Sequence, residues 1–330
     1  MALFIGFFEG DGSFYPRTTT NIKVDTNIKV DTDIKVEPQG RIVFEITQSI
    51  KNIKLLKSIR KKLGFGKVIV FEKDGFTYAR WYTSQREHVL TLITLFNGNF
   101  ILSKRQQQFE SIISALNSFW SYNIQVKPWQ SQISLDNSWL AGFSDADAGF
   151  FTNIKNNFKG QRKNQEEFYY RLLTKFCITQ DGEDSCLKTI QQLVGDNSKI
   201  YKITAGNQTT KQYNRIDISS VDCTEKLIQY FTRFPLKGER RISFLRWARV
   251  HGYKKRGLRL NKSSASKLVQ LINHLLPLEE GLPHNSISPI TTEEILLSES
   301  FCEIEEDLFN PLDSLNNLNN LNSSSYDSED

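Results

Sequence analysis

The sequence predicts an α+β protein of two pseudo-symmetric halves, each with the element order αββαββα, whose strands form two antiparallel sheets. Three observations lead to this prediction. The chain contains a long internal repeat, both halves show the same order of strand-like and helix-like apolar patterns, and each half opens with a short helix rich in small residues.

The internal repeat has a period of about 134 residues, far longer than the period of a solenoid. Its matched segments follow each other in the same order in both halves. They are residues 4–14 with 140–150, 44–48 with 176–180, the stretches around Gly64 and Gly195, and 78–85 with 213–220. This shared order indicates duplication and fusion of one ancestral unit.

Each half is predicted to begin with a short apolar helix that ends in an acidic residue. Alternating apolar residues at 41–48 and 169–180 then predict strands, because successive strand side chains point to opposite faces. The next helix ends at Gly64 or Gly195, since glycine is favoured just beyond a helix C-terminus. Two more strands precede a final amphipathic helix, at residues 67–71 and 77–83 in the first half and 199–204 and 213–218 in the second.

Charge divides the chain into a basic body and an acidic tail. Residues 277–330 contain 13 acidic residues and no basic ones, so residues 1–276 carry all 42 basic residues against 24 acidic ones, a net charge of +18. A body this basic indicates a polyanionic partner, and the tail is predicted to be disordered. The predicted organisation is a first half at 1–118, a linker at 119–135, a second half at 136–276 and the tail at 277–330.

Composition excludes several other classes of protein. No apolar run approaches the length of a membrane helix, so we expect no membrane partner. The four cysteines and four histidines lack the spacing of a zinc site or a disulfide framework. The abundance of Asn, Ile, Lys and Phe suits an A+T-rich genome, which indicates an organellar origin.

Small residues four positions apart lie on one face of the first helix of each half, where they would let the two helices approach closely. These interface candidates are Gly6, Gly10, Gly142 and Ala146. Helices packed in this way would bring Asp11 and Asp147, at their C-terminal ends, close together. Because neighbouring carboxylates repel each other and a divalent cation relieves the repulsion, we expect a Mg²⁺ site that acts on phosphate.

The segments FIGFFEGDGSF (residues 4–14) and LAGFSDADAGF (140–150) resemble the paired LAGLIDADG motifs of the single-chain homing endonuclease and intron maturase family. The resemblance extends over about residues 2–250. It implies a monomeric, intron-encoded, organellar enzyme that cuts double-stranded DNA at a long pseudo-palindromic site, with the two sheets forming a DNA-binding saddle. It also implies that Asp11 and Asp147 bind the metal, whereas Glu9 and Asp145 end helices or line an interface.

The same resemblance implies further catalytic residues. A polar residue at the end of the second strand would organise solvent near the metal, and a basic residue at the start of the last helix would lie near the scissile phosphate. The matching residues are Gln48, Gln180 and Lys104. In the second half Gly238 aligns with that lysine, so either Lys237 or Arg240 substitutes or that half-site lacks the group, and Lys237 is our candidate. This departure argues against equal cleavage of the two strands.

The predicted strands present basic, aromatic and amide side chains on one face of each sheet, and such sheets can enter the major groove of DNA. The candidate DNA-binding residues are Tyr15, Arg17, Arg41, Lys67, Arg80, Tyr82, Asn153, Lys155, Arg171, Lys175, Lys199, Tyr201 and Arg215. Basic segments at 157–164 and 252–262 would add phosphate contacts. Three TNIKVD-like repeats at residues 20–37 form either a longer DNA-contacting ribbon or a tolerated surface expansion.

Two other functions suit the same scaffold. One is an RNA-binding maturase that promotes splicing of an intron, with or without residual DNA cleavage, and its partner is intron RNA. The other is a sequence-specific regulator that only binds DNA. The intact set of Asp11, Asp147, Gln48, Gln180 and Lys104 favours the nuclease.

Overall fold

The computed structural model describes residues 1–18, 40–157, 169–195, 197–204, 211–255 and 268, which all belong to one compact unit, Met1–Leu276. Several features discussed above lie outside the described residues. They are the TNIKVD-like repeats at 20–37, all but the first residue of the basic loop at 157–164, residues 256–262 of the second basic segment, and the acidic tail at 277–330. Within the described ranges, no helix is both long and apolar enough to cross a membrane.

The described residues of the first half form four helices and four strands. Their order is α1 (Ala2–Asp11), β1 (Gly12–Thr18), β2 (Gly40–Ser49), a 3₁₀ turn (Ile50–Asn52), α2 (Ile53–Leu63), β3 (Lys67–Lys73), β4 (Phe76–Thr83), α3 (Arg86–Phe96) and α4 (Ser103–Trp120). Gly64 follows α2 in the left-handed conformation, with φ of 79°, which confirms the predicted end of this helix.

The second half repeats this order after residues 121–138, which contain no helix or strand. Its elements are α5 (Trp139–Asp147), β5 (Ala148–Asn157), β6 (Tyr169–Gln180), α6 (Asp184–Val194), β7 (Tyr201–Thr204), β8 (Gln212–Ile218), α7 (Val221–Arg233) and α8 (Arg240–Lys255). Gly195 ends α6 with φ of 75°, in the same way as its counterpart in the first half.

Each half forms one antiparallel four-stranded sheet, and the two sheets have the same topology. The strand orders are β1-β2-β4-β3 and β5-β6-β8-β7. The register is also shared, since Phe14 lies opposite Phe44 and Phe150 lies opposite Phe176. The predicted fold class of two related halves with two antiparallel sheets is therefore confirmed.

The helix prediction was incomplete, because the described residues form two helices after the last strand of each half where the sequence predicted one. In the first half, Gly98 adopts a φ of 84° between α3 and α4, which a continuous helix does not permit. In the second half, α7 ends at Arg233 and Pro235 follows. Because proline disfavours the helical conformation in the residue before it, Phe234 cannot continue the helix.

Helices cover one face of each sheet and bury its alternate side chains. Phe44, Ile46 and Trp81 face this core in the first half and are fully buried, as Phe176 and Ile216 are in the second. Buried residues of both halves belong to a single hydrophobic cluster that includes the first helix of each half. The opposite face of each sheet is left uncovered by these helices, and α1 and α5 are held at the centre.

Candidate active site and nucleic-acid interface

The first helices of the two halves, α1 and α5, pack directly against each other through their small residues. A Cβ atom added at Gly6 would overlap the carbonyl oxygen of Trp139. A Cβ atom added at Gly142 would overlap the carbonyl oxygen of Leu3. The two backbones are therefore closer than a side chain at either glycine allows.

This close packing brings Asp11 and Asp147 together where both helices end. A Cβ atom at Gly10 would overlap that of Ala146 and would lie 3.0 Å from Oδ2 of Asp147. Burial raises the pKa of Asp11 to about 7, and the negative charge of Asp147 adds to this rise. Burial likewise raises the pKa of Asp147. The structure thus places the two carboxylates within electrostatic reach of each other in a partly buried site.

A glutamine at the end of the second strand of each half holds the aspartate of that half. Nε2 of Gln48, on β2, donates to Oδ2 of Asp11 over 2.6 Å, and Nε2 of Gln180, on β6, donates to Oδ2 of Asp147 over 2.8 Å. Oε1 of Gln48 also accepts a hydrogen bond of 2.9 Å from Asn52. Since each glutamine contacts only one oxygen of its carboxylate, the other oxygen can face a cation.

Two half-buried arginines lie beside the aspartates. Sequence reasoning missed Arg105 and considered Arg240 only as a substitute for Lys104. Nε of Arg105 donates to the carbonyl oxygen of Glu9 over 2.8 Å, and Nε of Arg240 donates to that of Ala148 over 2.6 Å. The positive charges of both arginines lower the pKa of each aspartate and so oppose the effect of burial.

The two arginines also show how the last helices of the two halves align with each other. Each stands four residues before a buried phenylalanine, Arg105 before Phe109 in α4 and Arg240 before Phe244 in α8, so an offset of 135 relates the two helices. The sequence alignment used an offset of 134 here and missed the match, although the preceding segments 78–85 and 213–220 are already related by an offset of 135. The matched Arg and Phe spacing was the signal that could have revealed these arginines.

This alignment of the arginines changes which residue of the second half corresponds to Lys104. Lys104 matches Glu239 in the structure, whereas the sequence alignment matched it with Gly238. The chosen substitute, Lys237, lies exposed in the loop before α8, and its catalytic role stays a prediction. Lys104 itself lies beside the other half of the protein, with Nζ 3.4 Å from Oδ2 of Asp181.

Glu9 and Asp145, two residues before the paired aspartates, are engaged by the backbone. Glu9 accepts hydrogen bonds of 2.7 Å from two N–H groups in the loop before α4, and a further one from the indole of Trp139. Asp145 accepts hydrogen bonds of 2.6 and 3.1 Å from two N–H groups in the loop before α8. Both carboxylates therefore tie the first helix of their half to the last one, and neither is free to bind a metal.

In the first sheet, the six candidate DNA-binding residues lie on the face opposite the core. Their neighbours along each strand, such as Ile42 and Trp81, are buried, whereas the candidates are exposed or half-buried. The six are Tyr15, Arg17, Arg41, Lys67, Arg80 and Tyr82. Glu45 shares this face, where it accepts a hydrogen bond of 3.3 Å from Tyr15 and lies 3.4 Å from Nη1 of Arg80.

In the second sheet, an acidic residue that sequence reasoning missed gathers three of the candidates. Nζ of Lys175 and Nε of Arg215 each lie 2.8 Å from the carboxylate of Asp217, and the hydroxyl of Tyr201 also donates to it. Asp217 thus offsets part of the positive charge of this face and fixes the direction of the basic side chains.

For most of the remaining candidates of the second sheet, the structure describes the backbone position but not the side chain. Asn153 and Lys155 lie in β5 and Arg171 lies in β6, but their side chains are outside the described part of the structure. Lys199 was expected in a strand, but β7 begins at Tyr201 and Lys199 lies exposed before it. The DNA-binding role of all these residues stays a prediction.

Comparison with known proteins identifies relatives that match different shares of this chain. A protein of Neurospora crassa named probable intron-encoded endonuclease 4 is 28% identical over 249 residues, which are 75% of this chain and 39% of that protein. The intron-encoded RNA maturase bI4 of Saccharomyces cerevisiae is 34% identical over 103 residues, which are 31% of this chain and 15% of the maturase. The chain thus spans less than half the length of either relative.

A solved structure has a similar fold. The meganuclease I-SmaMI, bound to an uncleaved DNA target in the presence of calcium ions, gives a TM-score of 0.58 at 14% identity, over 83% of this chain and 98% of that chain. The sequence model of the LAGLIDADG endonuclease family matches residues 4–116 and 140–251, which are the two halves described above. The chain therefore belongs to the LAGLIDADG endonuclease family.

Proposed function

We propose that the chain is a monomeric, site-specific endonuclease that hydrolyses both strands of a long pseudo-palindromic DNA duplex with divalent metal ions, Mg²⁺ in particular. The observation that carries this proposal is the pair of matched units, Asp11 with Gln48 and Asp147 with Gln180, where α1 and α5 meet. One unit from each half suits a substrate with two strands to cut. The intron-encoded endonuclease and the DNA-bound meganuclease described above support the same activity.

The residues at the helix ends fit a divalent cation. Among the described residues, no group of three or more His, Cys, Asp or Glu side chains could enclose a metal ion. Mg²⁺ does not need such a cage, because it retains water and binds through one or two carboxylates together with substrate phosphates. Asp11 and Asp147 would hold it, and the calcium ions of the related meganuclease complex support this assignment. When bound, a divalent ion neutralises charge that develops on the phosphate oxygens during hydrolysis.

The other residues of the site position the aspartates and the phosphate. Gln48 and Gln180 each fix one oxygen of an aspartate, which keeps the second oxygen in a defined direction. Arg105 and Arg240 reduce the repulsion between the two carboxylates before any cation binds. Lys104, whose side chain is 55% exposed beside Asp181, can turn its ammonium group to a phosphate oxygen.

The uncovered sheet faces are suited to reading DNA. Each face bears basic and aromatic side chains that can enter a major groove. On each face a carboxylate, that of Glu45 or of Asp217, contacts some of these side chains. Side chains that are already held in place lose less rotamer freedom on binding. Basic residues then supply phosphate contacts, and the remaining polar groups supply sequence preference.

The gene is proposed to lie within an intron of an organellar gene. The A+T-rich character of the sequence and the intron-encoded relatives support this origin. We also propose the domain limits given above, with halves at 1–118 and 136–276 and an acidic tail at 277–330.

Selection of cleaved molecules from a plasmid library with randomised inserts tests the proposed activity. The purified full chain with Mg²⁺ should linearise a small set of plasmids that share one long site, and both strands should be broken there. If no insert is cut at any Mg²⁺ or Mn²⁺ concentration, and duplex DNA is bound equally well without metal, the protein is a DNA-binding regulator.

A maturase function is the second candidate, and helix α2 favours it. This helix carries five basic residues and no acidic one, and it packs on the core side of its sheet, away from the face proposed to read DNA. The exposed side chains are Lys54, Lys57, Arg60, Lys61 and Lys62. A second polyanion could bind there. Tight binding of intron RNA that Lys57→Glu with Lys61→Glu removes, with no double-strand cut by the parent chain, would decide for the maturase.

Cation binding is expected to depend on pH through Asp11. Because its pKa is raised to about 7, this carboxyl group is protonated below that pH, and a metal ion must displace the proton. Affinity for Ca²⁺ should therefore fall up to about tenfold per pH unit below 7 and level off above it. Isothermal titration calorimetry between pH 5.5 and 8 measures this change. An affinity that stays constant over the whole range would contradict the expectation.

A further inference from the structure

The two candidate sites differ in one ion pair whose charges are reversed. Nζ of Lys104 lies 3.4 Å from Oδ2 of Asp181, whereas Nζ of Lys51 lies 3.3 Å from Oε1 of Glu239. Each pair joins the start of the last helix of one half to the residues after the second strand of the other half. The ammonium group thus belongs to the helix in the first pair and follows the strand in the second.

Both ion pairs lie beside the aspartate-holding glutamines. Asp181 directly follows Gln180, and Lys51 stands three residues after Gln48. Each glutamine donates to the aspartate of its own half. Each pair therefore has one member within three residues of a glutamine that holds an aspartate, with Lys51 two positions further from its glutamine than Asp181 is.

Asn52, which is buried, fixes the segment that carries Lys51. Its side chain donates to the amide oxygen of the glutamine on β2 over 2.9 Å and accepts from the N–H of Glu239 over 2.8 Å. In the other half, Glu183 accepts from the N–H of Lys104 over 2.8 Å. A side-chain oxygen of the opposite half thus accepts from the backbone at both helix starts, and the ion pairs beside them carry their charges in opposite order.

Stability does not explain the reversed pair. The side chains of Lys51 and Glu239 are 45% and 44% exposed, and exposed ion pairs contribute little to folding. The neighbouring Asn52 links the segment of Lys51 to the glutamine that holds Asp11, a proposed cation ligand. An exposed ammonium group on this segment can exchange its partner for a phosphate oxygen when a duplex binds.

We propose that Lys51 contacts the scissile phosphate at the Asp11 site and replaces there the lysine that the second half lacks at Glu239. This inference rests on the proposed nuclease function. It assigns the role to the first half of the chain, whereas the sequence had suggested Lys237 in the second.

The two sites also differ in net charge. Asp181 is shared by Lys104 and Lys211, whose Nζ atom lies 2.9 Å from it, so two ammonium groups face one carboxylate. Lys51 faces Glu239 alone among the described ion pairs. Because the second arrangement has no excess positive charge, we expect the strand that Lys51 serves to be cut more slowly.

Strand-resolved cleavage tests the proposal with the full chain and a duplex labelled separately on each strand. The duplex carries the site selected from the library. Lys51→Ala should slow cleavage of one strand at least about tenfold and leave the other within about twofold, and Lys104→Ala should slow the opposite strand. Lys188→Ala removes an exposed lysine from α6 and should change neither rate. Lys51→Glu combined with Glu239→Lys should restore the strand that Lys51→Glu alone impairs.

A second measurement, made in EDTA, reports the contact without cleavage. Removing one phosphate contact should reduce the slope of log Kd against log salt concentration by about one for Lys51→Ala and leave it unchanged for Lys188→Ala. Equal slowing of both strands, slowing of neither, or an unchanged slope would each overturn the role of Lys51. If the parent chain cuts no duplex, the proposed function fails, and the slope on an arbitrary duplex still decides whether Lys51 touches phosphate.

Discussion

Replacing Asp11 with asparagine is expected to abolish double-strand cleavage and, at the same time, to raise the thermal stability of the metal-free protein. Cleavage should fall by at least about 100-fold to 1,000-fold, because the substitution removes a charge that would bind the cation at the reacting phosphate. Stability should rise because the same substitution removes one of two like charges held together in a partly buried site.

The gain in stability is expected to depend on pH. Burial and the charge of Asp147 raise the pKa of Asp11 in the folded protein to about 7, above the value of 3.8 for the free side chain. A carboxyl group whose pKa is higher in the folded protein than in the unfolded protein destabilises the fold. This destabilisation grows as the pH rises from the unfolded-state pKa through the folded-state pKa. The difference between Asp11→Asn and the parent chain should therefore be small near pH 4 and full by about pH 8.

Thermal unfolding in EDTA at several pH values measures this effect, and each kcal/mol corresponds to roughly 2–4 °C for a protein of this size. Asp74→Asn is the matched control, since it makes the same chemical change in the β3–β4 turn, at a left-handed position that asparagine tolerates. It should alter neither cleavage nor the pH dependence of stability. A variant at Asp11 that unfolds at the parent temperature at pH 8, or that still linearises the target, would show that the paired charge is not the cation site.

The placement of Asp11 and Asp147 could be predicted from the sequence because both copies of the repeat contain the residues that determine how the two helices pack. Small residues four apart predicted a close helix contact, and matched aspartates at the ends of both helices predicted their approach. Gln48 and Gln180 were expected near the metal from the resemblance to the LAGLIDADG family, and they lie on segments that the repeat matches. Such features are local, and they recur at nearly constant offsets.

The contacts that cross between the halves could not be predicted in this way. Two examples are the ion pair of Lys51 with Glu239 and the contact of Glu183 with the start of α4. Each contact joins segments that are far apart in the sequence, so no local sequence pattern predicts it. Asp217 was missed for a related reason. The candidate DNA-binding residues were chosen for their basic, aromatic or amide side chains, so the carboxylate that contacts two of the basic ones was left out. The match between the arginines was missed because the alignment shifted the last helices by one residue from the offset of 135 that the preceding strands share.

Replacing Gly142 with alanine is expected to destabilise the protein by about 3 kcal/mol or more and to abolish cleavage with it. The added Cβ would overlap the carbonyl oxygen of Leu3, which belongs to the backbone of α1 and cannot turn aside as a side chain would. Relief requires α1 and α5 to move apart, and this movement separates Asp11 from Asp147 at the helix ends.

The matched control is Gly252→Ala in α8, where an added Cβ would meet no atom within 4 Å. Alanine costs less backbone entropy than glycine in a helix, so this control should gain about 0.5–1 kcal/mol. Urea denaturation of both variants gives the free energies of unfolding, and the cation affinity of Gly142→Ala reports the separation of the aspartates. A loss below about 1 kcal/mol with unchanged cation binding would mean that the helices tolerate a wider spacing. The cation site would then depend on the glutamines and arginines around it, and close contact of the two backbones would not be required.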